Sequence, residues 1–167
     1  MKEQKYKQLN SYMSETKGRS NTIKALHDVL PVIMMVFYPL QILYLLVTEG
    51  ANNEVFLKAT LVPLGTLIFV TALRYIINAK RPYEKYSYTP VVKKDTKGKS
   101  FPSRHTTSAF IIAMAFLYID TTLGVIMLVL ATIIAITRVL SGVHFIHDVI
   151  GGALISIITG ILCFFLL

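Results

Sequence analysis

The chain has a single cysteine, Cys163, and it lies inside an apolar run, so neither a disulfide framework nor a cysteine metal site can form. Charge is scarce too. Asp, Glu, Lys and Arg make up 16% of the 167 residues against 54% hydrophobic, which argues against a soluble globule and for one domain in a membrane. Negative charge is scarcest, with nine Asp and Glu against 17 Lys and Arg and a net charge of +8. Only Asp95 and Asp148 stand where they could serve a site, too few ligands for a metal, and no metal or other cofactor is expected. The first 24 residues lack an apolar core, so no cleavable signal peptide is expected. The basic residues are divided among segments flanking the apolar runs and make no regular stripe. That distribution disfavours nucleic acid and suits anionic lipid head groups or a phosphorylated substrate.

Residues 1–24 carry six Lys and Arg, with Tyr6, Leu9, Tyr12 and Met13 at spacings of three and four. Two readings fit: a basic amphipathic helix on the membrane surface, or a flexible solvated tail. Residues 25–167 read as the membrane domain, an all-α bundle of about five transmembrane helices. Val29 to Thr48 gives 20 residues without formal charge, enough to cross about 30 Å of hydrocarbon, with Pro31 and Pro39 expected to bend it. A second span runs from Lys58 to about Asn78. A third, Thr106 to Ile119, is short at 14 uncharged residues and also fits a buried or re-entrant helix. Thr121 to Thr137 and Val149 to Leu167 complete the set. In the last, Gly152, Ser156 and Gly160 recur every four residues, a small-residue face for close helix packing. The one substantial loop, residues 80–102, holds seven Lys and Arg with Pro82, Pro90 and Gly98 as breakers. Lys93, Lys94, Lys97 and Lys99 in it read as a solvated stretch that attracts anionic lipid, with direct substrate contact as the alternative.

Three polar clusters stand at the ends of these spans, where hydrocarbon makes each polar group costly. They are Arg74 with Arg81 and Pro82; Pro102, Ser103, Arg104 and His105; and Arg138, His144 and Asp148. A helical-hairpin count puts all three on one side of the membrane. Converging guanidinium groups repel unless an anion joins them, and the planar fork of Arg suits phosphate oxygens. Pro102 suits an early helix position, so the Ser103 hydroxyl and the free N–H groups after it are expected to face that anion. His144 and Asp148 are one helical turn apart, which lets the carboxylate hold one ring nitrogen and leave the other free. Metal-independent phosphoryl transfer follows: His144 attacks phosphorus, His105 protonates the leaving oxygen, and Arg74, Arg81 and Arg138 neutralise the transition state. His27 beside Asp28 and His147 beside Asp148 read as helix-end residues without a catalytic role.

These clusters resemble the signature of the type 2 phosphatidic acid phosphatase superfamily, which includes the vanadium-dependent haloperoxidases. The family pattern is Lys, six residues, Arg-Pro; Pro-Ser-x-His; and Ser-Arg, five residues, His, three residues, Asp. Here it reads Arg74 to Arg81-Pro82, Pro102-Ser103-Arg104-His105, and Thr137-Arg138 to His144 to Asp148. The resemblance implies a phosphohistidine on His144, Asp148 as its partner, His105 as the acid, and Arg74, Arg81, Ser103, Arg104 and Arg138 as phosphate ligands. Three positions depart from the pattern. Arg74 stands for Lys, Thr137 for Ser, and Arg104 where Gly is commonest; typical members also have six spans.

The expected function is removal of phosphate from a membrane lipid: phosphatidate, phosphatidylglycerophosphate, or a polyprenyl phosphate or diphosphate. The alternatives are a lipid phosphotransferase and an inactive lipid-phosphate-binding protein; a haloperoxidase fits poorly because a membrane-embedded site suits a lipid better than a diffusing halide. With five spans, 16 of the 17 Lys and Arg fall on the side of the clusters and only Lys58 opposite. The positive-inside rule then places the site on the cytoplasmic face of what is expected to be a bacterial cell membrane. Oligomeric state is not set by the sequence.

Overall fold

The computed structural model describes residues 3–167, and among them every regular element is helical. Helix α1 (Glu3–Glu15) leads into α2 (Lys17–Thr48), α3 (Glu54–Ile77), the short α4 (Pro82–Tyr86), α5 (Arg104–Ile119), α6 (Thr121–Leu140) and α7 (Ile146–Gly160), which ends in a π-helical stretch, Ile161–Leu166.

Four of these stretches are long and apolar enough to cross a membrane: α2, the stretch containing α3, α6, and α7 with its π-helical end. The third expected span, α5, has only 16 residues and lies at the centre of the bundle, with ten of them buried. Its Ala109, Phe110, Ile112, Ala113 and Phe116 pack with Met34 of α2 and Met127, Ala131 and Ile134 of α6. On a second face Ile111, Met114 and Ala115 meet Phe164. The surrounding helices turn large apolar side chains outward, among them Val32 and Val36, Ile68 and Phe69, Val125 and Val129, and Leu154 and Ile158. Such a surface is stable against lipid and not against water.

Local chemistry sets the helix boundaries. Asn53 caps α3 by accepting the Val55 N–H at 2.8 Å, and Asn78 ends it in the left-handed region at φ 44°. Asp120 accepts the Leu123 N–H at 2.8 Å and starts α6 directly after α5. Pro31 and Pro39 lie inside α2 without ending it, and α2 begins at Lys17, ahead of the charge-free run. Helix α1 folds back on the same end of the bundle as the loop. Its Tyr6 hydroxyl accepts the Ile146 N–H at 3.1 Å, and Asn10 Nδ2 donates to the Thr89 carbonyl at 2.8 Å.

The small-residue face of α7 lies against α5. A Cβ on Gly152 would stand 2.9 Å from the Ser103 carbonyl oxygen and 3.0 Å from Thr107 Oγ1, and one on Gly160 would stand 2.8 Å from the Met114 side chain. Between them Ser156 Oγ donates to the Thr107 carbonyl at 2.9 Å. The contact at Gly152 is with backbone and cannot yield by a rotamer change. Gly152→Val should therefore destabilise the protein by about 2 kcal/mol and lower its thermal midpoint in detergent. An unchanged midpoint would show that the α5–α7 approach is not tight.

Candidate active site

The turn between α6 and α7 is built first by backbone. Gly142 adopts φ +77°, a conformation that a side chain would strain, and a Cβ there would also meet the Asn10 side chain at 2.7 Å. The Tyr88 hydroxyl donates to the Gly142 carbonyl at 2.9 Å, and the His144 N–H donates to the Arg138 carbonyl at 3.3 Å. Helix α1 and the loop thus brace the turn from outside.

Asp148 sits in the first turn of α7, where a carboxylate meets the free N–H groups and the favourable end of the helix dipole. It is fully buried. Its Oδ2 accepts the Phe145 N–H at 2.9 Å, the Ser100 hydroxyl at 2.5 Å and the His144 ring at Nδ1, 3.2 Å away. An acceptor at Nδ1 places the ring proton there, so Nε2 carries the lone pair. That nitrogen faces Arg81, whose Nη1 is 3.5 Å away. Burial pushes the His144 imidazole down to about 4, opposed by its hydrogen bond to Asp148 and reinforced by Arg81, so it is neutral at pH 7.

Around this nitrogen lies a cleft of about 240 Å³, lined by Arg74, Arg81, Lys94, Lys99, Arg104, His105 and His144 together with Thr71, Tyr75 and Thr96. Two of these cations, Arg74 and Arg81, are held by carbonyls in place of carboxylates. Arg74 Nη1 donates to the Pro102 carbonyl at 2.5 Å, and Arg81 donates through Nε to Gly98 at 3.1 Å and through Nη1 to Val143 at 3.4 Å. Their charge is left for an incoming anion. Lys94 registers the crowding: burial, then Arg81, Arg138, Arg104 and Arg74, push its ammonium down to about 8. No carboxylate lines the cleft among the described residues, and no cluster of His, Cys, Asp and Glu there could hold a metal ion.

Of the eight residues singled out in the sequence, Arg74, Arg81, Arg104, His105 and His144 line the cleft, and Asp148 stands behind His144. Ser103 and Arg138 do not line it. Ser103 caps α5 and is wholly buried; its hydroxyl accepts from Thr106 at 3.0 Å and its N–H donates to the Asp148 carbonyl at 2.9 Å, so it joins α5 to α7. Arg138 is turned toward α2, where His27 holds it. Ser100, which hydrogen-bonds Asp148, was not singled out in the sequence; Lys94, read there as part of a solvated stretch, lines the cleft, and His27, read as a helix-end residue, holds Arg138. Only His27 had a local signal, an ionisable ring at the mouth of an apolar run.

A helical membrane bundle with a histidine–aspartate pair facing a cation-lined cleft is the class of protein that fold and site define. The chain belongs to the PAP2 superfamily, whose family model matches residues 55–167. The crystal structure of Aquifex aeolicus LpxE shares the fold, with a TM-score of 0.74 over 96% of this chain and 92% of that one at 24% identity. A phosphatidylglycerolphosphate phosphatase of PAP2 type from Bacillus subtilis aligns with a TM-score of 0.45 at 23% identity, over 96% of this chain and 89% of that one. The bacitracin transport permease protein BcrC of Bacillus licheniformis is 34% identical over 85 residues, which are 49% of this chain and 42% of that protein. The match thus spans less than half of that relative's length.

The neutral His144 has a pH consequence. An unfolded histidine titrates near 6.5, so between about 6.5 and about 4 the unfolded chain binds a proton that the folded one refuses. Stability should be full above that window and fall as pH drops through it. Thermal midpoints at pH 7.5 and 4.5 should differ more for wild type than for His144→Gln; equal differences would show that His144 is not held neutral by burial.

Proposed function

We propose that this protein is a metal-independent phosphatase acting on a membrane lipid through a phosphohistidine. The observation that carries it is His144 Nε2, free of its proton and facing Arg81 at 3.5 Å in a cleft of cations without carboxylates. The phosphate enters among Arg74, Arg81, Arg104 and Lys94, where it offsets their mutual repulsion and supplies the negative charge that a protonated His105 needs. His144 Nε2 attacks phosphorus, the bond from phosphorus to the lipid oxygen breaks, and His105 gives that oxygen its proton. Asp148 steadies the imidazolium through Nδ1. His105 then takes a proton from water, whose oxygen attacks the phosphohistidine, releasing phosphate and restoring neutral His144.

The surroundings of the cleft support a lipid substrate. Thr71 and Tyr75 line both the cleft and an apolar groove on α3 with Leu67, Ile68, Ala72 and Ile76, so a head group in the cleft can leave its tail against the lipid-facing side. Phosphatidate, phosphatidylglycerophosphate and polyprenyl phosphates or diphosphates all fit this description. The positive-inside distribution, with α1 packed at the site end of the bundle, supports a cytoplasmic site in a bacterial membrane.

Purified protein should release phosphate from at least one lipid of such a panel, with and without EDTA. His144→Ala should lower that rate at least about 1,000-fold. A variant that keeps its rate, or a wild type silenced by the chelator, would overturn the mechanism. For sidedness, a reporter active only in the cytoplasm should be silent when fused after Leu167; activity there would reverse the orientation.

A further inference from the structure

Helix α2 lies outside residues 55–167, the part that the family model covers, yet it delivers one side chain to the edge of the site. His27 and Arg138 are 8% and 1% exposed. Arg138 Nη1 stands 2.5 Å from His27 Nε2, and Nη2 donates to the His27 carbonyl at 3.0 Å. A guanidinium keeps its protons, so Nη1 is the donor and His27 Nε2 must offer a lone pair. The ring proton is then on Nδ1, which donates to Asp28 Oδ1 at 2.9 Å. The chain Asp28, His27, Arg138 therefore has one direction and one tautomer.

What this arrangement withholds matters as much as what it supplies. No carboxylate pairs with Arg138 among the described residues, and its buried Nε–H has no hydrogen-bond partner. A buried guanidinium with neutral acceptors and a vacant donor is a costly state that an anion oxygen relieves. Arg138 does not itself line the cleft, but it stands close enough for its charge to act on Lys94, which does. The His27 ring lies 6.5 Å from the ring of His105, which lines the cleft.

We infer that His27 is a positioning residue for phosphate binding: it clamps the two terminal nitrogens of Arg138 and leaves the Nε–H and the full positive charge for a phosphoryl oxygen. This rests on the reading of the cleft as a phosphate site. A carboxylate at position 27 would hold Arg138 as firmly but neutralise it and compete with the substrate; a neutral imidazole fixes the geometry without spending the charge.

The test titrates full-length protein in detergent with inorganic phosphate by calorimetry and measures lipid hydrolysis in parallel. His27→Ala should weaken phosphate about 10-fold, as loss of a hydrogen bond to a charged group does. His27→Gln, which keeps an acceptor, should stay within about threefold of wild type. His27→Glu should weaken phosphate about 10-fold while its thermal midpoint stays at or above that of wild type, an effect a merely structural role would not give. In an Arg138→Ala background, His27→Ala should add nothing. Unchanged phosphate affinity in His27→Ala, an added loss in the Arg138→Ala background, or tight phosphate binding by His27→Glu would overturn the inference, as would a wild type that binds no phosphate. If His27→Ala fails to fold, the Gln and Glu variants decide. A wild type that binds phosphate but releases none from lipids overturns the phosphatase reading alone, and the same cycle still decides the role of His27.

Discussion

The buried carboxylate of Asp148 is the interaction on which the rest of the site depends. A single oxygen accepts from the Phe145 backbone, the Ser100 hydroxyl and the His144 ring, and so ties α7, the basic loop and the α6–α7 turn to one point. Three donors and a helix N-terminus make ionised Asp148 tolerable in a bundle otherwise built from apolar side chains. Because those donors are spent on Oδ2, the imidazole has one orientation and one tautomer. Arg81 Nη1 then stands 3.5 Å from His144 Nε2, the ring nitrogen that Asp148 leaves free.

A second constraint is the separation of charge signs. The cleft gathers cations, while the carboxylate of Asp148 lies behind the histidine and outside the lining. Backbone carbonyls of Gly98, Pro102 and Val143 hold the guanidinium groups, which satisfies their donors without cancelling their charge. Short α5 suits this plan. It is buried among the other helices, so its N-terminus can bring Arg104 and His105 to the cleft without meeting lipid at every turn. Gly152 lets α7 come close enough for the Ser103 N–H to reach the Asp148 carbonyl.

Much of this was legible in the chain, and the legible part has a common physical basis. Apolar runs bounded by charge mark lipid-crossing helices, and polar groups placed at their ends mark a site because hydrocarbon penalises them there. The pairing of His144 with Asp148 was expected from helical spacing; it forms, but from the α6–α7 turn, because α7 begins only at Ile146 and His144 precedes its cap. The residues that escaped notice depend on contacts between distant parts of the chain. Ser100 is one polar residue in a basic loop until the fold sets it against Asp148, and Lys94 is one lysine among four until the loop folds inward. Arg138 illustrates the limit most clearly: its position in the motif is plain, but its direction is set by His27, 111 residues away. Ser103 likewise proved to be a buried joint between helices, since its place at the cap of α5 says nothing about which neighbour its hydroxyl meets.

The central claim is that His144 attacks phosphorus, and the direct measurement is to trap the covalent enzyme. Full-length wild-type protein is mixed with a lipid labelled in its phosphate, rapidly quenched during turnover under alkaline conditions that preserve phosphoramidates, digested and sequenced by mass spectrometry. The account predicts an acid-labile phosphate on His144 and on no other residue. Phosphate release by wild type with no label on His144, or a label on another side chain, would contradict it.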